Sequence, residues 1–103
     1  MEPLRDANGY PAEQTLDAIR TWPHDYRALM AFIRPIWKFA TAGYWRESDA
    51  VTRGHNVRAY TLSTGGWSGN ESIIGALCDN TMFWSVCWES SRRGGVYEFE
   101  IRK

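Results

Sequence analysis

Apolar positions recur at helical spacing from residue 11 onward. In PAEQTLDAIRTW, Ala12, Leu16 and Ile19 fall on one stripe, and Pro11 suits a first helical turn, where its missing N–H has no bond to lose. Pro23 ends the segment. HDYRALMAFIR repeats the pattern with Tyr26, Leu29, Met30 and Ile33, and Asp25 stands near its start. Pro35 breaks or kinks this helix, after which IWKFATAG continues for another turn or two. Beyond Gly43 the period falls to two: YWRES and VRAYTLST alternate as strands do, with the polar connection DAVTRGHN between them. A helix over about residues 70–78 follows. The last third reads as a hairpin, because TMFWSVCWESS and VYEFEIRK are both aromatic and β-branched and RRGG links them. In its first arm Met82, Trp84, Val86 and Trp88 form the expected core face with Trp84 largely buried, and Phe83, Ser85, Cys87 and Glu89 a mixed one. The order ααββαββ predicts one α+β domain over residues 1–103, a mainly antiparallel sheet of about four strands with helices packed on one face. Residues 1–10, with Pro3, Asn8 and Gly9, read as a loose N-terminal arm.

Charge narrows the partners. Twelve basic and twelve acidic residues cancel, so no global field draws the chain to long nucleic acid or an anionic membrane, and binding to either needs a local patch. No run reaches transmembrane length and the N-terminus lacks a charged-then-apolar signal, which predicts an intracellular protein. Ten of the basic residues are arginine, the side chain suited to forked contacts with anions, although a GC-rich genome produces the same bias. Two cysteines, Cys78 and Cys87, make no disulfide framework and both read as core. His24 and His55 stand apart, so no metal spacing exists and no metal or cofactor is expected. Neither histidine has a nucleophile beside it, and Glu98 with Glu100 reads as the exposed face of an edge strand, so the chemistry leans away from catalysis.

The stretch STGGWSGNES joins a strand to a helix through two glycines and a tryptophan. Ser68 and Glu71 have capping-box spacing, which accounts for the helix start, and Gly65 and Gly66 can supply the positive φ of a tight turn. Trp67 is left over, since the position on which it would staple is the polar Ser72. It packs on the sheet or flanks a cleft at a helix N-terminus, where N–H groups favour an anion. Known phosphate loops do not match: Gly66–Gly69 gives only G-x-x-G, and no lysine lies between Phe39 and Arg102.

Arg92 and Arg93 occupy the expected hairpin tip, either as a solvated turn or as a clamp for phosphate. With Trp88 or Trp67 stacking on a base, the candidate ligand-binding set is Gly65, Gly66, Trp67, Ser68, Gly69, Asn70, Trp88, Arg92 and Arg93. That set requires the corner and the arginine turn to meet at one end of the sheet.

The segment 60–101, through its STGGWSGNE run, its FW…W strand and its SSRRGG turn, resembles a group of small uncharacterised accessory proteins of tailed bacteriophages and prophages. It covers about two-fifths of the chain, and residues 1–43 do not share in it. The resemblance implies a context, the host bacterial cytoplasm, and carries over no site residue. The expected function is that of a non-catalytic binder of a small phosphate-bearing, nucleotide-like ligand, sequestering a host defence signal as a homo-oligomer. The alternatives are a protein-binding inhibitor of a host enzyme, acting through an aromatic face, and a nucleic-acid-binding accessory protein.

Overall fold

The computed structural model describes residues 5–7 and 9–103, so the expectation for Pro3 and Asn8 lies outside the described residues. Helix α1 (Glu13–Arg20) buries Leu16 and Ile19, with Ala12 buried just before it, and Arg20 in its last turn pairs with Asp17 and Glu13. Helix α2 (Tyr26–Ile33) starts at Asp25, whose carboxylate accepts from the Ala28 N–H at 3.3 Å, and it buries Leu29, Met30 and Ile33. Pro35 does not allow the helix to continue. A 3-10 turn over Arg34–Ile36 and an extended Trp37 follow, then a second 3-10 turn over Ala40–Ala42.

Strands β1 (Trp45–Thr52) and β2 (His55–Ser63) form a hairpin closed by Arg53 and Gly54, with φ of 52° and 80°. Both strands are longer than the sequence pattern suggests. Positive φ at both turn positions matches the twist of the flanking strands, so pairing runs to Thr52↔His55 and absorbs the polar connection. After α3 (Ser68–Asp79) comes the main departure from expectation. Thr81–Cys87 is a helix, α4, and only Trp88–Arg92 forms strand β3, which pairs with β4 (Val96–Arg102).

Helical spacing turns Phe83 and Cys87 inward and leaves Met82 and Val86 63% and 62% exposed, so the expected Met82–Trp84–Val86–Trp88 core face does not form. Trp84 is only half-buried. The cause lies in packing. Phe83 fits edge-on against Tyr26 and beside Phe99, and Asn80 caps the helix by accepting from the Phe83 N–H at 3.2 Å. These contacts override the strand preference of the local residues.

The four strands are antiparallel in the order β1-β2-β4-β3, and the α+β architecture with helices on one face holds. Register puts Trp45, Glu47 and Asp49 of β1 on the helix-covered face together with Arg58, Tyr60 and Leu62 of β2 and Tyr97, Phe99 and Ile101 of β4. Along β1 and β2 that face changes from apolar near Trp45 and Leu62 to charged near Asp49 and Arg58. Glu98 and Glu100 share the opposite face, on an interior strand rather than an edge.

Candidate functional site

Gly65 and Gly66 form the turn after β2 with φ of 63° and 74°, and a Cβ on Gly65 would run into the Tyr44 ring. The capping box does not form. Trp67, not Ser68, occupies the N-cap position and gives no side-chain bond, while the exposed Ser68 is the first helical residue. Asn70 instead organises the corner from a fully buried position. Its carboxamide donates to the carbonyls of Thr64 (3.2 Å) and Lys38 (3.3 Å) and accepts from the Lys38 N–H at 2.9 Å. Gly69 is buried because the Trp67 ring lies directly against it. Trp67 itself is half-buried, stacked on Tyr10 with ring centroids 5.2 Å apart.

The corner and the arginine turn do meet. Ser63 pairs with Val96, and the Thr64 N–H donates to the Gly95 carbonyl at 3.0 Å. The two arginine side chains are engaged elsewhere or face solvent. Arg92 reaches Glu98 at 3.5 Å and Arg93 is exposed. Trp88 pairs in register with Phe99, three positions along β4 from Val96. Its indole N–H donates to Ser91 Oγ at 2.8 Å, and its ring stacks on Trp84.

A larger cleft lies between α2 and the charged part of the sheet's covered face. Its volume is about 760 Å³, and Arg27, Arg34, Glu47, Arg58 and Tyr60 line it over a floor that includes Ala28 and Ala31. Arg27, Ala31 and Arg34 follow one another at helical i, i+4, i+7 spacing, while the strand register brings Glu47 opposite Tyr60. Glu47 anchors the wall. One of its oxygens accepts from Arg58 Nε (3.2 Å) and Nη2 (3.0 Å), and the other from Arg34 (2.8 Å) and the Trp45 indole (2.7 Å). Burial pushes the Glu47 carboxyl up, but the hydrogen bonds from Trp45 and Arg58 and the charges of Arg34 and Arg58 prevail and hold it below the ordinary carboxylate value. Arg58 also binds Asp49 at 3.1 Å, and Asp49 takes Lys103 at 2.8 Å. Burial and the Glu47 charge raise the Tyr60 hydroxyl, with Arg58 and Arg27 opposing. Arg27 makes no ion pair among the described residues.

Such a cleft can hold an anion by forked hydrogen bonds from cations whose positions are fixed in advance. None of its residues belongs to the set expected from sequence. The available signal was a charged pair, Glu47 and Arg58, on the same alternating face as Trp45, Tyr60 and Leu62. Cys87, the thiol nearest this region, is buried and pushed up to about 12, first by desolvation and then by Glu89, so it stays protonated at neutral pH. Cys78 is exposed rather than core. Among the described residues no His/Cys/Asp/Glu cluster could hold a metal ion, and no helix is long and apolar enough to cross a membrane. No protein-family model matches the chain, and neither a curated protein nor a solved structure is significantly similar to it.

Proposed function

We propose that the protein binds a small phosphate-bearing ligand without changing it chemically, and that the cleft between α2 and the sheet is the site. The observation that carries this reading is the convergence of Arg27, Arg34 and Arg58 on one cavity of about 760 Å³, with Glu47 fixing two of the three guanidiniums from behind. Arg58 spends its donors on Glu47 and Asp49 and serves as fixed charge, so Arg27 and the outer edge of Arg34 are left to grip the anion. Ala28 and Ala31 keep the helix surface low enough for a nucleoside-sized body to lie along it. The resemblance of residues 60–101 to phage accessory proteins supports a setting in the infected bacterial cytoplasm, where such a binder acts, as a homo-oligomer, by sequestering a host signal. The second reading, a protein-binding inhibitor, is favoured by the outward Met82 and Val86 of α4 beside the 40% exposed Trp88.

Calorimetric titration with nucleoside monophosphates tests the cleft. Arg27→Gln combined with Arg34→Gln should weaken binding at least tenfold, since one charge-assisted hydrogen bond is worth about 1.5–3 kcal/mol. The melting temperature should fall only modestly, because Arg27 makes no ion pair among the described residues and Glu47 keeps its bonds from Arg58 and Trp45 when Arg34 is lost. A parent protein that binds no phosphate compound, or a double variant that binds as well as the parent, refutes the proposal.

A further inference from the structure

A separate cavity of about 350 Å³ beside the corner is lined by Arg5, Gly9, Tyr10, Lys38 and Trp67. It differs from the cleft in its charge. Two cations line it, and among the described residues no carboxylate does. Each cation is held by neutral groups. Arg5 donates to the Pro35 carbonyl at 3.0 Å, and the Lys38 ammonium lies 4.8 Å from the Trp67 ring centroid and 5.3 Å from that of Phe39. The nearby Asp6 carboxylate accepts from the Tyr10 N–H at 3.0 Å and does not line the cavity. Arg20, Arg34, Arg58, Arg92 and Lys103 pair with carboxylates, whereas Arg5 and Lys38, like Arg27 and Arg93, make no ion pair among the described residues. Two cations beside one cavity, with no carboxylate lining it among the described residues, give it a positive potential that favours an anion.

We infer that this cavity is a second anion site and takes a single phosphoryl group borne on a small molecule. Arg5 and Lys38 supply the charge. The stacked Tyr10 and Trp67 rings form the wall, and α3 begins at Ser68, immediately beyond Trp67, with the partial positive end of its dipole. The volume suits a monophosphate with a small substituent rather than a polymer, and two cations are too few for a nucleic-acid track. The role of Trp67 follows. It carries Lys38 over its face and closes the cavity, and it belongs neither to the core nor to a stack with a base.

The experiment is calorimetric titration of the full-length protein with inorganic phosphate and with phenyl phosphate, for the parent, Lys38→Gln, Arg5→Gln and the Arg27→Gln/Arg34→Gln double variant. The double variant should still bind phosphate, and adding Lys38→Gln to it should weaken that binding at least tenfold, while Lys38→Arg preserves it. Arg5→Gln should act in the same direction, which guards against a folding defect peculiar to either position. The inference fails if the double variant binds no phosphate, or if neither Lys38→Gln nor Arg5→Gln lowers its affinity. A parent that binds one equivalent, lost on Lys38→Gln and untouched by the double substitution, upholds this site and refutes the cleft.

Discussion

Glu47 receives four donors from three side chains while its own side chain is only 16% exposed, which makes it the most heavily committed carboxylate of the cleft. Its depressed pKa has a definite consequence. A carboxyl whose folded value lies below its unfolded value stabilises the fold above the unfolded value, and that contribution disappears as pH falls through the folded one. Glu47→Gln should therefore cost about 1–3 kcal/mol at neutral pH, the range for a lost charged hydrogen-bond network. The gap between parent and variant should close in acid, once Glu47 is protonated in both states. Urea melts at pH 7 and again below the ordinary carboxylate range measure it, and a gap independent of pH would show that Glu47 contributes through packing alone. Nothing in the local sequence announced this residue. WRES reads as an alternating strand, and only the hairpin register, which sets Arg58 diagonally across from it and eleven positions away, makes Glu47 an anchor.

Helix α4 shows how an element can be decided from outside itself. TMFWSVC satisfies a period of two as well as a helical one, and its aromatic and β-branched residues favour a strand. Asn80 settles the matter. It caps α4 through Phe83, and its carboxamide donates to the carbonyls of Ile19 (2.9 Å) and Trp22 (3.0 Å) at the end of α1, some sixty residues away. Asn80→Ala removes the cap and strands two carbonyls, a loss of about 2–4 kcal/mol in thermal or chemical melts. Met82→Ser should stay within about 0.5 kcal/mol of the parent, because an exposed helical side chain contributes little. A large loss at Met82 would restore the strand with its inward Met82. The elements that were legible, α1, α2 and β4, carry their signals within themselves: Asp25 as a cap, Pro35 as a stop, and Phe99 and Ile101 alternating with Glu98 and Glu100. The length of the β1–β2 hairpin was not legible, since Arg53 at positive φ is an uncommon residue for such a turn.

The sheet has two ends, and they carry different chemistry. One holds the corner, the Arg92–Arg93 turn and, beside Trp67, the small cationic cavity. The cleft lies farther toward the β1–β2 turn, where Arg58 pairs with Asp49 before the strands close at Thr52 and His55. The meeting of the corner with the arginine turn could be anticipated from chain order alone, because β2 delivers the one and β4 begins at the other. Where the guanidiniums point could not, since that depends on Glu98 lying two residues along β4 from Val96 and drawing Arg92 across the sheet. Arg92→Ala with Arg93→Ala should accordingly leave nucleoside-monophosphate affinity within about twofold of the parent, because neither side chain lines the cleft or the corner cavity. The melting temperature should move little as well. The exposed Arg92–Glu98 pair falls in the class worth about 0–1 kcal/mol, and Arg93 makes no ion pair among the described residues. Loss of binding in this variant, with the melt unchanged, would return the phosphate to the arginine turn. Retained binding there, together with loss in the Arg27→Gln/Arg34→Gln variant, would place the phosphate against α2 instead.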